Sequence, residues 1–373
     1  MATTSHFEAP LYELISSRNH GRVVVIFDVL MASVVEAVHK KSLPNVECYC
    51  FQSVPAFVVY SLVWEAAGKA GILAADEDGI MEQLPSWEGC FSLEFQAFLE
   101  SQQKSSRNNF HNGTIYNTCR ILEARYLDLL SKMVGPPHKH WAVGPLGALF
   151  EHEKRGSESP GPGSECLEWL DMQPLNSVIF VSFGTTCSLS DEQIRELGLG
   201  LERSEQRFVW LLSDADKGDI FEGEVRRVEL SDGFEERVRE RGIVVREWAP
   251  QLQILEHSAT GGFLTHCGWN SCLESIATGV PIAAWPMHSD QPRNAVLVTK
   301  VLKIGVEMRD WARREEVVSS VTVEEGVRRL MASAEGEKMR RRAAELADAL
   351  KLSMVEGGVG RVEMDSFIAH ITS

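Results

Sequence analysis

The sequence has too few basic residues for a protein that binds phosphate polymers. Its 37 lysines and arginines stand against 53 aspartates and glutamates, which gives a formal net charge of −16. Binding to nucleic acid or to an anionic membrane surface depends mainly on lysine and arginine. The composition therefore argues against both kinds of partner, although a local phosphate site built from backbone N–H groups needs no overall positive charge.

Long apolar runs and metal-binding cysteine pairs are also absent. The longest apolar run, 57–64, is far too short to span a bilayer, and residues 1–22 carry Glu8 and Glu13 and no apolar core of a signal peptide. The eight cysteines form no paired CxxC sets with zinc spacing, and most lie inside apolar runs. We therefore expect a cytoplasmic monomer in a reducing compartment that needs no metal ion and no cofactor.

Apolar strands alternate with helices along the chain, which is long enough for about two domains. The run 23–27 predicts a parallel strand buried on both faces, and 178–184 predicts the first strand of a second domain. A polar helix is predicted over 226–242. A stretch rich in charge, Gly, Ser and Pro, 151–164, predicts a linker. We expect an α/β protein with a first domain at 1–150, a second at 165–355 and a closing helix at 356–373.

The most informative stretch runs from Trp248 to Gln291. It contains a short apolar strand at 261–265, a turn at 266–271 and apolar residues at helical spacing from Leu273 onward. The turn therefore leads from a strand into a helix that Asn270 or Ser271 could cap.

This geometry suits a nucleotide. A helix start offers unpaired N–H groups and the positive end of the helix dipole, and Gly268 lets the backbone approach a ligand closely. His266 and Ser271 can donate to phosphate oxygens, and Glu274 can accept from ribose hydroxyls. Asp290 and Gln291 follow another strand, 281–285, and lie where open α/β sheets bind ligands.

Over its whole length, the stretch 248–291 resembles the signature box of plant UDP-glycosyltransferases. The resemblance implies that Trp248 stacks on uracil, that Ala249 and Gln251 lie near the nucleoside, and that Glu274 holds the ribose. His266, Asn270 and Ser271 would hold the diphosphate. Trp269, Asp290 and Gln291 would face the sugar, and the Trp and Gln at these positions go with glucose in this family.

The resemblance extends to the rest of the chain. Ser182 and Thr185 follow the first strand of the second domain, where the family contacts the donor. The loops 213–220 and 286–292 resemble those of the zeatin O-glucosyltransferase branch. The implied fold is the GT-B type, with two Rossmann-like domains facing across a cleft. The implied reaction is inverting transfer of glucose from UDP-glucose to a hydroxyl of a small acceptor, such as a cytokinin.

The general base of this reaction is missing from the sequence. In the family it is a histidine after the first strand, oriented by an aspartate that Asp28 matches. No strand with a Gly-His turn precedes Asp28, and about three βα units, on the order of 90 residues, would be needed to supply it. His6 and His20 are poor substitutes because geometry comes before pKa in such an assignment. We therefore expect an incomplete first domain in an N-terminally truncated chain.

Two other functions stay open from the sequence. A UDP-sugar-binding pseudoenzyme is compatible with the missing base. A metal-dependent transferase could use Asp214 and Asp216, which form a D-x-D, although their polar loop is more typical of a solvated acidic segment. His257 and His288 have no metal-ligand companions.

Overall fold

The structure, a computed structural model, describes residues 4–17, 21–41, 45–68, 79–106, 110–147, 164–185, 187–212, 230–246 and 248–373. The chain divides into two compact units. The first consists of Met1–Asp78, Trp87–Leu146 and Leu352–Ser373, and the second of Gly79–Ser86 and Gly147–Lys351. Residues 79–86 therefore belong to the second unit, although the sequence division assigns them to the first domain. The predicted linker lies outside the described residues except at Ser164.

The first unit is built on a parallel sheet of four strands in the order β1-β2-β3-β4. The strands are β1 Val23–Asp28, β2 Val46–Gln52, β3 Gly113–Tyr116 and β4 Lys139–Ala142. Its helices are α1 Glu8–Ser16, α2 Ala32–His39, α3 Ala56–Ala66, α4 Leu93–Ser106 and α5 Arg120–Val134. The helix α4 was not predicted from the sequence, because its polar residues outnumber its apolar ones and show little periodicity.

The prediction that residues 23–27 are buried on both faces is wrong. Among the described strands β1 pairs only with β2, and it therefore lies at an edge of the sheet. The side chain of Ile26 is 51% exposed, whereas Phe27 is buried. An apolar run shows what a strand is able to bury, but its position in the sheet decides how much it does bury.

The second unit is built on a parallel sheet of six strands in the order β10-β9-β8-β5-β6-β7. The strands are β5 Val178–Ser182, β6 Arg207–Leu211, β7 Gly242–Val245, β8 Thr260–Thr265, β9 Ile282–Ala284 and β10 Gly305–Glu307. Every residue of β5, β8 and β9 is buried. Helices cover both faces of the sheet, and the core therefore resembles that of a doubly wound α/β protein.

The helices of the second unit mostly follow the predicted pattern. They are α6 Ser164–Asp171, α7 Asp191–Ser204, α8 Phe234–Val238, α9 Gln251–Glu256, α10 Trp269–Thr278, α11 Gln291–Val296, α12 Ser320–Ala332 and α13 Ala334–Ser353. The long helix predicted at 226–242 is wrong within the described residues, where only α8 forms. Gly233 precedes α8 with a left-handed φ of 70°, a conformation that ends a continuous helix.

The last helix, α14 Val359–Thr372, belongs to the first unit. Its Phe367 packs against Tyr49 of β2 and Trp141 of β4, with ring centroids 5.7 and 5.2 Å apart. Its Glu363 accepts a hydrogen bond from the backbone N–H of Ala142 at 3.2 Å. Within the described part of the chain, no helix is both long and apolar enough to cross a membrane.

Candidate functional site

The predicted donor residues of the second unit lie along one edge of its sheet. The strands β9, β8 and β5 are neighbours, and Ser182 of β5, Thr265 of β8 and Ala284 of β9 are in register near their carboxyl ends. His266 follows β8 directly, and Asp290 lies in the loop after β9. The parallel order therefore brings together three loops at the edge where such sheets bind ligands.

The turn between β8 and α10 has the predicted strand-to-helix form. Cys267 takes a left-handed φ of 65°, and Gly268 is the N-cap of α10 without a side-chain hydrogen bond to the helix start. The expectation that Asn270 or Ser271 caps the helix is wrong, because both lie inside its first turn. Gly268 has no side chain that could cap the start of α10, which is a position that favours an anion.

The imidazole of His266 occupies a slot between two glycines. A methyl group on Gly268 would come within 2.5 Å of its Nε2, and one on Gly184 within 2.9 Å of its Cε1. Gly184 also has a φ of 76°, in the left-handed region. Both positions therefore require glycine if the ring is to keep this place beside the helix start.

Burial lowers the pKa of His266 to about 4, with a smaller contribution from nearby His288. The ring is therefore neutral at physiological pH and carries one N–H. The Thr265 hydroxyl lies 3.3 Å from Nδ1. If this hydroxyl donates to Nδ1, the proton resides on Nε2, the ring atom that faces Gly268. A neutral imidazole in this tautomer donates a hydrogen bond toward the anion position.

Three polar side chains of the signature stretch form a cluster that suits a ribose. The Nε2 atom of Gln251, at the start of α9, donates to Oε2 of Glu274 at 2.7 Å and to Oγ of Ser271 at 3.1 Å. Glu274 is partly buried one turn into α10. The amide fixes the carboxylate, and oxygens of Glu274 can accept from a pair of sugar hydroxyls.

The aromatic residues of the stretch differ in exposure. Trp248 is 63% exposed, and its indole is therefore free to stack on a planar ligand, while the adjacent Ala249 is buried in the core. Trp269 is buried at the start of α10. Asn270 and Thr185 are exposed, and Ser182 is buried, with its hydroxyl accepting from the N–H of Gly184 at 3.4 Å.

Asp290 and Gln291 are held by the loop and by the helix that follows it. Asn294 lies one turn further along α11 and donates to Oδ2 of Asp290 at 2.7 Å and to the carbonyl oxygen of Cys267 at 2.9 Å. Burial raises the pKa of Asp290, and the hydrogen bond from Asn294 opposes that shift. Asn294 thus ties the acid of one loop to the turn after β8, a role that its i+4 spacing from Asp290 could have suggested.

Asp28 is the last residue of β1 in the first unit. Its Oδ1 accepts from the backbone N–H of Leu30 at 2.9 Å, and it begins a short 3-10 helix, Val29–Met31. In the described part of the chain no histidine is hydrogen-bonded to this carboxylate. His6 is exposed in the 3-10 helix Thr4–Phe7, and His20 lies outside the described residues.

The predicted acidic loop is not part of the described structure. Asp214 and Asp216 both lie in 213–229, outside the described residues, as does the branch-specific loop 213–220. Elsewhere in the described ranges, no group of three or more His, Cys, Asp or Glu side chains is arranged to hold a metal ion. Independence of metal therefore stays a prediction.

Comparison with known proteins decides the family. The family model described as "Glycosyltransferase, N-terminal domain" matches residues 1–148, and that described as "UDP-glucoronosyl and UDP-glucosyl transferase" matches 161–323. Over 372 residues the chain is 51% identical to a zeatin O-glucosyltransferase from Phaseolus lunatus, covering 99% of the chain and 78% of that relative. The chain belongs to the UDP-glycosyltransferase family.

Other relatives of this UDP-glycosyltransferase agree. A zeatin O-xylosyltransferase from Phaseolus vulgaris is 50% identical over 372 residues, covering 99% of the chain and 79% of the relative. A solved UDP-glucosyltransferase from Polygonum tinctorium, capable of glucosylating indoxyl, has a TM-score of 0.80 at 26% identity, with 99% of this chain and 81% of that one covered. A transferase from Siraitia grosvenorii in complex with UDP also has a TM-score of 0.80, at 29% identity, with 99% and 87% covered.

These findings confirm the predicted family, the GT-B fold class and the glycosyltransferase activity. The roles of the individual donor-site residues stay predictions, although the structure brings them to one edge of one sheet. From the sequence, His288 was weighed only as a metal ligand, and no role was predicted for Cys187 or Asn294. The contacts of Cys187 link loops that are distant along the chain, and no local pattern could have revealed them. The spacing of Asn294 from Asp290 was the one local signal among these residues.

Proposed function

We propose that this UDP-glycosyltransferase transfers glucose from UDP-glucose to a hydroxyl of a cytokinin such as zeatin, with inversion at the anomeric carbon. The observation that carries the proposal is the set of hydrogen-bond donors and acceptors that lies along the carboxyl edge of the second sheet. The 51% identity to a zeatin O-glucosyltransferase supports the acceptor class. No metal ion and no cofactor take part in this reaction.

The donor would bind along the carboxyl edge of the second sheet, from the indole of Trp248 to the side-chain amide of Gln291. Trp248 would stack on uracil, and the Glu274 carboxylate, already held by Gln251, would accept from the ribose hydroxyls. The neutral His266 ring and the start of α10 would donate to the diphosphate. Fixed donors at this position stabilise the charge that develops on UDP as the sugar leaves it.

Transfer then requires one new bond and one broken bond. The acceptor oxygen attacks the anomeric carbon from the face opposite UDP, the bond to the β-phosphate oxygen breaks, and UDP leaves. The hydroxyl proton passes to a general base. We propose that the Asp28 carboxylate itself takes this proton and passes it on to solvent, because no histidine among the described residues is hydrogen-bonded to it.

The experiment is turnover of UDP-glucose with trans-zeatin by the purified chain. We expect release of UDP and a β-glucoside, unchanged by EDTA and reduced at least about 100-fold by Asp28→Asn, since general-base catalysis typically contributes 10²–10⁴-fold. Calorimetry with UDP tests the donor site separately. Absence of UDP binding, or equal binding after Trp248 and His266 are both replaced by alanine, would contradict the proposal.

A second candidate is a UDP-sugar-binding protein with impaired transfer. It is favoured by the hydrogen bonding of Asp28, whose carboxylate contacts a backbone N–H and no histidine among the described residues. Normal UDP binding without turnover, and without effect of Asp28→Asn, would favour this function.

A further inference from the structure

A second layer of side chains lies behind Gln291. This residue is 4% exposed, and its Oε1 accepts from the backbone N–H groups of Met287 at 2.9 Å and His288 at 3.0 Å. A carbonyl oxygen has two lone pairs, and the loop uses both. Gln291 is therefore left with its amide N–H groups, and it meets a ligand hydroxyl as a donor rather than as an acceptor.

The amide nitrogen faces two further side chains. Nε2 of Gln291 lies 3.4 Å from Nδ1 of His288 and 4.0 Å from Sγ of Cys187. Sγ of Cys187 in turn lies 3.4 Å from Nε2 of His288. Cys187 is buried in the segment between β5 and α7, and His288 lies in the loop after β9. The three groups thus close a ring between two loops of the same sheet edge.

The contacts assign the tautomer of His288. The hydroxyl of Ser289 lies 2.8 Å from Nδ1, and the Gln291 amide approaches the same atom. The hydroxyl can donate or accept, but the amide nitrogen can only donate, which makes Nδ1 the acceptor in the neutral ring and leaves the proton on Nε2, facing the weakly accepting sulfur of Cys187. One amide N–H of Gln291 is then held by His288, and the other faces Sγ of Cys187 at 4.0 Å, a weak contact that a ligand hydroxyl can replace.

We infer that Cys187 and His288 are positioning residues for Gln291, which they orient so that its remaining N–H donates to a hydroxyl oxygen of the donor sugar. The inference rests on the proposed function. Without the pair, the amide could turn away from the sugar, while the groups assigned to uracil, ribose and phosphates would be unchanged. The pair therefore contributes to binding of the sugar and to the choice between sugars, but not to binding of UDP.

If Cys187 only stabilised the fold and did not position Gln291, its loss would have a different effect on ligand binding. Cys187 also packs in the apolar core with Phe183 and Trp285, and its loss by packing alone would lower stability and weaken UDP and UDP-sugars alike. The distinguishing quantity is therefore the ratio of the Kd of UDP to that of UDP-glucose. It isolates the contribution of the sugar from the common contribution of the nucleotide.

The experiment compares two substitutions of His288 by calorimetry with UDP, UDP-glucose and UDP-xylose. His288→Leu removes the ring acceptor, whereas Oδ1 in His288→Asn stands at about the position of Nδ1. Since a hydrogen bond contributes about 1 kcal/mol, we expect His288→Leu to weaken UDP-glucose about fivefold and UDP less than about twofold. His288→Asn should restore most of the loss, and Cys187→Ala should give a smaller loss in the same direction.

His257→Leu is the matched control. His257 also lies in the second unit, and its hydrogen bonds join Asp171 and the backbone N–H of Ala259. It should change stability but not the ratio of the two dissociation constants. Equal weakening of UDP and UDP-glucose by His288→Leu, or no recovery in His288→Asn, would overturn the inference. Failure of the unaltered chain to bind UDP would instead overturn the proposed function as well.

Discussion

The two sheets of this protein are both parallel, yet they bury their strands to different extents. In the second unit, β5 is buried along its whole length. In the first unit, β1 lies at an edge and leaves Ile26 half-exposed. Both strands are continuous apolar runs in the sequence. The difference shows that an apolar sequence allows a strand to be buried, whereas the position of the strand in the sheet decides how much of it is buried. The contribution of each sheet to stability can therefore be tested separately from its contribution to the site.

The largest expected effect comes from one substitution made in both sheets. Ile179 of β5 is 0% exposed and Ile26 of β1 is 51% exposed. We expect Ile179→Ala to lower the free energy of unfolding by about 2–5 kcal/mol, because it removes buried methyl groups and leaves a cavity. Ile26→Ala should cost less than about 1 kcal/mol, since much of its side chain already contacts water. Urea unfolding followed by circular dichroism measures both, and equal losses would contradict the contrast in burial.

The next effect concerns the different roles that are proposed for the two sheets, nucleotide binding for the second and transfer for the first. Glu274 of the second unit holds the proposed ribose position, whereas Asp28 of the first unit is proposed to act only in transfer. Because a hydrogen bond to a charged group contributes about 1.5–3 kcal/mol, Glu274→Gln should weaken UDP binding at least about tenfold. Asp28→Asn should leave the Kd of UDP unchanged and lower kcat. A loss of UDP affinity in Asp28→Asn would show that the first sheet also binds the nucleotide.

A smaller effect should appear in the pH dependence of stability. In the first unit the rings of His111, His138 and His140 lie in a row, with neighbouring centroids 4.9 and 5.0 Å apart. Burial lowers the pKa of His138 and of His140 to about 4, with further lowering by neighbouring imidazoles. The unfolded chain therefore takes up protons first, and stability is full above pH ~6.5 and falls as the pH drops toward ~4.

This prediction separates the two units. Thermal unfolding between pH 7 and 4 should show a falling midpoint, and His138→Gln combined with His140→Gln should flatten the fall. The second unit has a similarly shifted ring in His266, whose replacement by glutamine should change the slope by less than the double variant does. An unchanged slope in the double variant would mean that the row of histidines is not what resists acid.

The sequence predicted the donor site far better than the first unit. Between residues 248 and 291 the strands, turns and helices are adjacent in the sequence. His266, Gly268 and Glu274 therefore lie in one turn and in the helix that follows it. The burial of β1 depends on which strands flank it, and the ring of Gln291, His288 and Cys187 joins residues about 100 positions apart. Neither depends on a local pattern, and neither could be read from the sequence.

The smallest expected effect concerns the charged pairs of α14, one within the helix and one with α5. Arg361 and Asp365 pair at 2.9 Å on the exposed face, while Arg120 bonds both Glu363 and Asp128 in a partly buried network. Arg361→Ala should change the free energy of unfolding by less than about 0.5 kcal/mol, because solvent screens an exposed helical pair. Arg120→Ala should cost more, since Glu363 also accepts from the backbone of β4 and would lose its cation in a half-buried place. If the two substitutions proved equal, the attachment of α14 to the first sheet would depend on the apolar contacts of Phe367 and not on charge.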